Sequence, residues 1–377
     1  MVSRARNLGG LMGTSSTLDI ADIANLGDLT GVDSYADSDA LALAVVPIGT
    51  QAYQTDTGSF KIYRGASGWA QMDEFPTAPS WVFQGTVSGY TSGGVTDDGA
   101  TYLDTIDKFP FAADANATDV GDLTRARIGG AGQSSPVSGY TSGGLAPWQQ
   151  FTPANTNIID KFPFAADGNA TDVGDLTTAR DRAAGQSSSE SGYASGGAEP
   201  AIVNTIDKFP FASDGNATDV ADLSQGRKDA AGQSSGTFGY VSGGAPAAGV
   251  VGTTIDKFPF AADANATDVG DLTQGIYGNT GQSSAESGYV SGGWYPLTNV
   301  IEKFPFASDA NATDVGDLTQ ARRNPAGQSS DASGYTSGGF VPPQVNTIDK
   351  FPFAADANAT DVGDLTQARF IQTGQQV

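Results

Sequence analysis

Apolar residues along this chain fall in short alternating runs rather than in helical stripes. From residue 82 onward three runs keep returning. In their commonest forms they are Gly-Tyr-x-Ser ending at Gly-Gly, then Thr-Ile-Asp-Lys-Phe-Pro-Phe, then Thr-Asp-Val-Gly-Asp-Leu. Alternation over so few residues predicts half-buried β-strands, and the Gly, Asn and Asp clusters between them predict turns. A more polar run, Gly-Gln-Ser-Ser, precedes each later Gly-Tyr and completes a unit of four strands, here called a to d in chain order. Proline within strand c, as at Pro110, suits an outer or bulged strand.

The unit is repeated. Its tyrosine recurs as Tyr90, Tyr140, Tyr193, Tyr240, Tyr289 and Tyr335, and its lysine as Lys108, Lys161, Lys208, Lys257, Lys303 and Lys350. A period close to fifty residues, with four short antiparallel strands per period, predicts an all-β, six-bladed β-propeller over residues 82–377. Strand a is found between blades at Gly132, Gly185, Gly232, Gly281 and Gly327. The sixth copy is Gly374-Gln375-Gln376-Val377, which is expected to lie beside the Tyr90 strand and close the ring.

The preceding residues read differently. Residues 1–41 read as an extended or short-helical anchoring segment, with one amphipathic run from Leu18 to Leu29. Residues 42–73 predict a small β-meander: two strands flank an Asp56-Thr57-Gly58 turn, and Trp69-Ala70-Gln71-Met72 adds a third. Residues 74–81, stiffened by Pro76 and Pro79, read as a linker.

Composition narrows the functions open to such a chain. Its 50 glycines and 18 prolines among 377 residues agree with strands and turns. The net charge of −23 argues against nucleic acid and against anionic membranes. The chain has no cysteine and no histidine, which excludes disulfides, Cys/His zinc sites and His-based triads. No apolar stretch is long enough to span a bilayer, and no membrane insertion is expected.

The repeat resembles the kelch family. The resemblance is carried by Tyr140 three residues before Gly143-Gly144, by Phe162 in the next strand and by Arg180 at the end of the unit. The departures are Val120, Val173 and Val220, where kelch repeats carry Trp, and Ile276 in place of the fourth arginine. This resemblance implies architecture and says little about function. Residues 3–8, Ser-Arg-Ala-Arg-Asn-Leu, with the module from Pro47 to Trp69, resemble the start of tail-fibre and other virion proteins of marine tailed phages. That second resemblance implies a non-enzymatic virion structural protein, localised to the phage particle as a tail fibre or other appendage. Its expected partners are other virion proteins through the N-terminal segment and a host-surface glycan or protein through the propeller, with homo-oligomers in the particle. The alternatives are a bacterial kelch-like protein–protein interaction module and a carbohydrate-processing propeller.

The chemistry-bearing motifs point to structure more than to catalysis. Asp114, Asn116, Thr118 and Asp122 follow a calcium-loop spacing, but an Asx-type turn explains the same residues, so no cofactor and no metal are expected. Asp107, Asp160, Asp207, Asp256 and Asp349 recur with the repeat, as an active site would not. The six strand-c lysines are expected to be partly buried in structural ion pairs, with strand-d aspartates such as Asp119 or Asp122 as partners. What varies between copies lies after the double glycine and between strands d and a. Tyr102, Trp148, Phe151, Trp294, Tyr295 and Phe340 fall in the b–c loops, and Tyr277 in a d–a loop. Strand direction puts both loop sets on one face, which makes these seven aromatics the candidate binding residues.

Overall fold

A computed structural model describes residues 33–35, 51–54, 59–63, 69–71, 83–96, 101–149 and 152–377. The chain divides into two compact units, residues 1–80 and 81–377.

The described part of the first unit is a four-stranded sheet whose strands lie in chain order. Gln51–Gln54 and Ser59–Tyr63 form the hairpin, with Tyr53 opposite Phe60, and Trp69–Gln71 pairs with the second of these strands. Asp33–Tyr35 adds a parallel strand beside Gln51–Gln54. That strand falls in the segment expected to be extended or short-helical. The run from Leu18 to Leu29 lies outside the described residues.

The second unit is an all-β, six-bladed propeller. Blade 2 shows the plan: Ala131–Ser134 is strand a, Ser138–Ser142 strand b, Ile158–Pro163 strand c and Thr171–Asp175 strand d. Hydrogen bonding follows the order a-b-c-d, every neighbour antiparallel, with a innermost. Proline ends strand c, where Pro163 pairs with Ser138, and a bulge between Ile159 and Asp160 shifts the register against strand d. Blade 1 takes its strand a from the other end of the chain: Thr373–Gln376 pairs with Ser88–Ser92.

The core lies between blades. Tyr140 of blade 2 stacks on Phe211 of blade 3 at 4.9 Å and tilts against Phe209 at 5.5 Å. The corresponding sandwich joins blade 1 to 2 through Tyr90, Phe162 and Phe164, and blade 6 to 1 through Tyr335, Phe109 and Phe111. At the axis the strand-a glycines touch. A Cβ on Gly185 would lie 2.1 Å from the Gly132 carbonyl oxygen, and one on Gly374 equally close to that of Gly327. Only a residue without a side chain lets six strands converge so tightly.

Two kinds of ion pair tie neighbouring blades, and they differ in depth. The strand-c lysines do make ion pairs, but with the c–d turn of the next blade and not with the strand-d carboxylates Asp119 or Asp122. Lys108 reaches Asp167 at 3.0 Å, Lys161 reaches Asp214 at 2.9 Å and Lys208 reaches Asp263 at 3.0 Å. Lys257, Lys303 and Lys350 pair with Asp309, Asp356 and Asp114. Strand c runs towards that turn, so its lysine meets the turn before it could reach strand d. The turn asparagine also bridges blades, as when Asn116 Oδ1 accepts the Asp364 amide. Of the four residues with calcium-loop spacing, Asp114 and Asn116 thus link blade 1 to blade 6. These aspartates are more than half exposed, so each pair contributes about 1 kcal/mol at most.

The deeper pairs use the arginine that ends each unit. Arg127 meets Asp160 at 2.6 Å, Arg180 meets Asp207 at 3.2 Å and Arg369 meets Asp107 at 2.6 Å, all essentially without solvent exposure. Arg227–Asp256 and Arg322–Asp349 complete five seams. Burial pulls Arg127, Arg322 and Arg369 below the usual arginine value, and the partner carboxylates oppose it. Each aspartate also accepts from a backbone amide and a hydroxyl, as Asp207 does from Thr177, so the charge is fully coordinated. The sixth seam, between blades 4 and 5, has Ile276 and Glu302 instead.

Candidate functional site: the loop face

Strand polarity sorts the connections onto two faces. The a–b and c–d turns share one, and the b–c and d–a loops share the other. The chain enters the propeller on the turn face. There Gln84 Nε2 donates to the Ser283 carbonyl, the Gly85 amide donates to that of Ser329, and the Phe83 carbonyl accepts from Gln376 Nε2. Residues 83–85 thus lie across the axis at that end.

On the loop face two local devices repeat. The double glycine after strand b turns the chain with positive φ, 66° at Gly143 and 110° at Gly144, and a Cβ at Gly143 would strike the Arg180 carbonyl oxygen at 2.6 Å. The residue after the double glycine then bridges to the second residue of the preceding d–a loop. These bridges are Val95 with Phe370, Ile128 with Leu145, Asp181 with Ala198, Lys228 with Ala245, Tyr277 with Trp294 and Arg323 with Phe340. One position further along, Gly129, Arg182, Asp229, Gly278, Asn324 and Ile371 encircle the axial mouth. Each donates its backbone amide to the preceding member, at 2.6–3.0 Å, so six hydrogen bonds close into a ring. The four residues of this ring that are not glycine hold φ of 53–56°, a left-handed conformation costly for most side chains.

An axial cavity of about 120 Å³ lies inside, with Phe83 among its lining residues along with Arg182, Asp229 and Asn324. At the mouth Arg182 sits between Asp181 at 3.3 Å and Asp229 at 3.5 Å. Burial raises the pKa of both carboxylates, against the pull of Arg182.

The candidate aromatics do not form one patch. Trp294, Phe340 and Tyr277 are half-buried in blades 5 and 6, Tyr295 is 62% exposed, and Tyr102 is half-buried in blade 1, bridged to Val95. Trp148 belongs to a hairpin, Leu145–Gln149 with Thr152–Asn155, on blade 2, opposite blade 5 across the ring. Phe151 lies outside the described residues. The contiguous group is one that sequence reasoning only half found. The Arg323 guanidinium lies 4.7 Å from the Trp294 ring and 4.8 Å from the Phe340 ring, and Phe340 in turn contacts Phe370 at 5.1 Å. Arg323 was hidden in its d–a loop. Aligning the six d–a loops exposes it, because that position reads Ile, Asp, Lys, Tyr, Arg, Phe around the ring.

The sequence matches no protein-family description and no curated protein. Among solved structures, that of YjhT superposes with a TM-score of 0.59 at 12% identity, covering 76% of this chain and 99% of YjhT. A likeness at that identity carries the propeller fold alone.

Proposed function

We propose that this chain is a non-enzymatic structural protein of a tailed-phage particle, part of a tail fibre or other appendage, whose propeller binds the host surface through its loop face. The observation that carries this reading is the contrast between the two faces. The turn face receives the incoming chain and presents nearly identical Asp-x-Asn turns. The short a–b turns on that face also vary, but the loop face differs between blades in loop length, in charge around blades 3 and 4 and in exposed or half-exposed aromatics around blades 5 and 6. Side chains that vary on a fixed scaffold are suited to recognition. The repeated carboxylates, by contrast, are held by arginine and threonine at the seams. The N-terminal resemblance to virion proteins supplies the particle.

Antibodies against the full chain should label purified phage particles, and the labelled full chain should bind cells of a susceptible bacterium. Trp294→Ala should weaken that binding by about 1–2 kcal/mol while leaving the melting temperature nearly unchanged. Absence from particles together with capture of a bacterial protein would replace this reading with that of a bacterial interaction module. Turnover of a polysaccharide would replace it with that of an enzyme.

A further inference from the structure

Charge on the loop face is unevenly spread. In a chain of net charge −23, the loops around blades 5 and 6 hold no acid: residues 276–279, 294–299, 322–325, 340–346 and 369–372 contain neither Asp nor Glu. Three arginines lie in these stretches. Arg322 and Arg369 are committed to Asp349 and Asp107. Arg323 has no carboxylate within ion-pair distance among the described residues, and its Nε is buried without an acceptor. Two ring contacts hold the guanidinium in place, and among the described residues no carboxylate pairs with it.

We propose that Arg323, in contact with the Trp294 and Phe340 rings, is the anion-reading centre of this face, and that its ligand is a carboxylate-bearing glycan of the uronic-acid type. The guanidinium fork matches a carboxylate with two parallel hydrogen bonds. Contact with two rings removes rotamer freedom before any ligand arrives, which lowers the ordering cost of binding. The neighbouring rings, with Tyr295 62% exposed beside them, offer flat apolar surface for the face of a sugar ring. One cation without a carboxylate partner among the described residues, set among loops free of acid, suits a ligand with sparse carboxylates. A densely charged polyanion would meet the field of the whole acidic chain. The proposal rests on the host-surface reading and gives that surface a chemistry.

The test is titration of the full chain with oligogalacturonate, its full methyl ester, polyglutamate and dextran sulfate. Oligogalacturonate should bind and its ester should not. Arg323→Gln and Arg323→Lys should each weaken binding on the order of tenfold or more, the lysine variant because it keeps the charge and loses the fork. Circular dichroism and melting report whether the variants fold; were the glutamine variant to unfold, the lysine variant and the esterified probe on the parent chain still decide. Equal binding of acid and ester, unchanged affinity in Arg323→Lys, tighter binding of polyglutamate or dextran sulfate, or no binding of oligogalacturonate would each overturn the proposal. Host-cell binding retained by Arg323→Gln would remove this ligand and leave the host-surface reading standing. Oligogalacturonate binding without binding to any cell would do the reverse.

Discussion

Five seams of this propeller are sealed by a buried arginine and aspartate, and one is sealed by an isoleucine. At the seam between blades 2 and 3, Arg180 and Asp207 are both fully buried and paired. At the seam between blades 4 and 5, Ile276 is 2% exposed and packs with Leu272 and Phe304. Glu302 keeps the contacts of the missing aspartate, accepting from the Thr273 amide at 2.8 Å and its hydroxyl at 2.7 Å. It has lost the cation, and burial raises its pKa, with the Thr273 hydrogen bonds opposing. Blade 4 departs in a second way. Phe238 occupies the place of a serine, Lys257 lies 4.4 Å from the Phe238 ring, and burial pushes the Tyr240 hydroxyl up to about 12. Apolar packing and an ion pair are thus alternative ways to join blades, as expected when desolvation cancels most of the attraction in a buried pair.

The comparison can be broken most forcefully from the sealed side. Arg180→Met leaves Asp207 buried without its cation and should cost about 3–5 kcal/mol in denaturant unfolding. A loss of under 1 kcal/mol would mean that the arginines are not what closes the seams. A smaller effect should follow from copying the odd seam into a regular one. Arg180→Ile with Asp207→Glu should cost less than the two single changes summed, with a coupling of about 0.5–3 kcal/mol in a double-mutant cycle. Strict additivity would show that Ile276 and Glu302 are unrelated substitutions.

The smallest effect is one of pH. Because its folded pKa is raised, Glu302 keeps its proton to higher pH in the native state than in the unfolded chain. Its contribution to stability therefore falls as pH climbs from the ordinary glutamate value through the raised one, and is constant beyond. Glu302→Gln can keep both Thr273 contacts and removes the titration. Relative to the parent it should gain stability across that window and nowhere else. Parallel melting curves for parent and variant over that range would contradict the burial of a charged Glu302.

Sequence alone disclosed the six-bladed architecture, because tyrosine, lysine and double glycine recur at a period that only a repeat explains. It also showed the seam arginines and aspartates, but as separate recurrent residues. Their pairing joins Arg180 to Asp207 in the following unit, and periodicity ranks no such partner over another. The clue was the coincidence of Ile276 with Glu302: one unit loses the arginine and the next changes the aspartate. The expected lysine partners, strand-d carboxylates of the same or the adjacent blade, give way to turn aspartates of the adjacent blade for a related reason, since periodicity does not rank one recurrent acid over another. On the loop face the aromatics were visible as departures from the repeat. That Arg323 gathers two of them, while Trp148 stands across the ring, depends on closure of the circle.

Closure also governs when this propeller can come into being. Ser92 and Gln375 are 283 positions apart and share a hydrogen bond, and Val377 exchanges backbone hydrogen bonds with Ser88 beside the entering segment. During synthesis the strand at Ser88–Ser92 emerges early and waits for its inner neighbour until nearly all of the propeller has been translated. Until then it is an open edge, the feature that invites pairing with another chain. Contacts of such long range slow folding, and here the slowest step also sets the interval during which newly made copies can tangle.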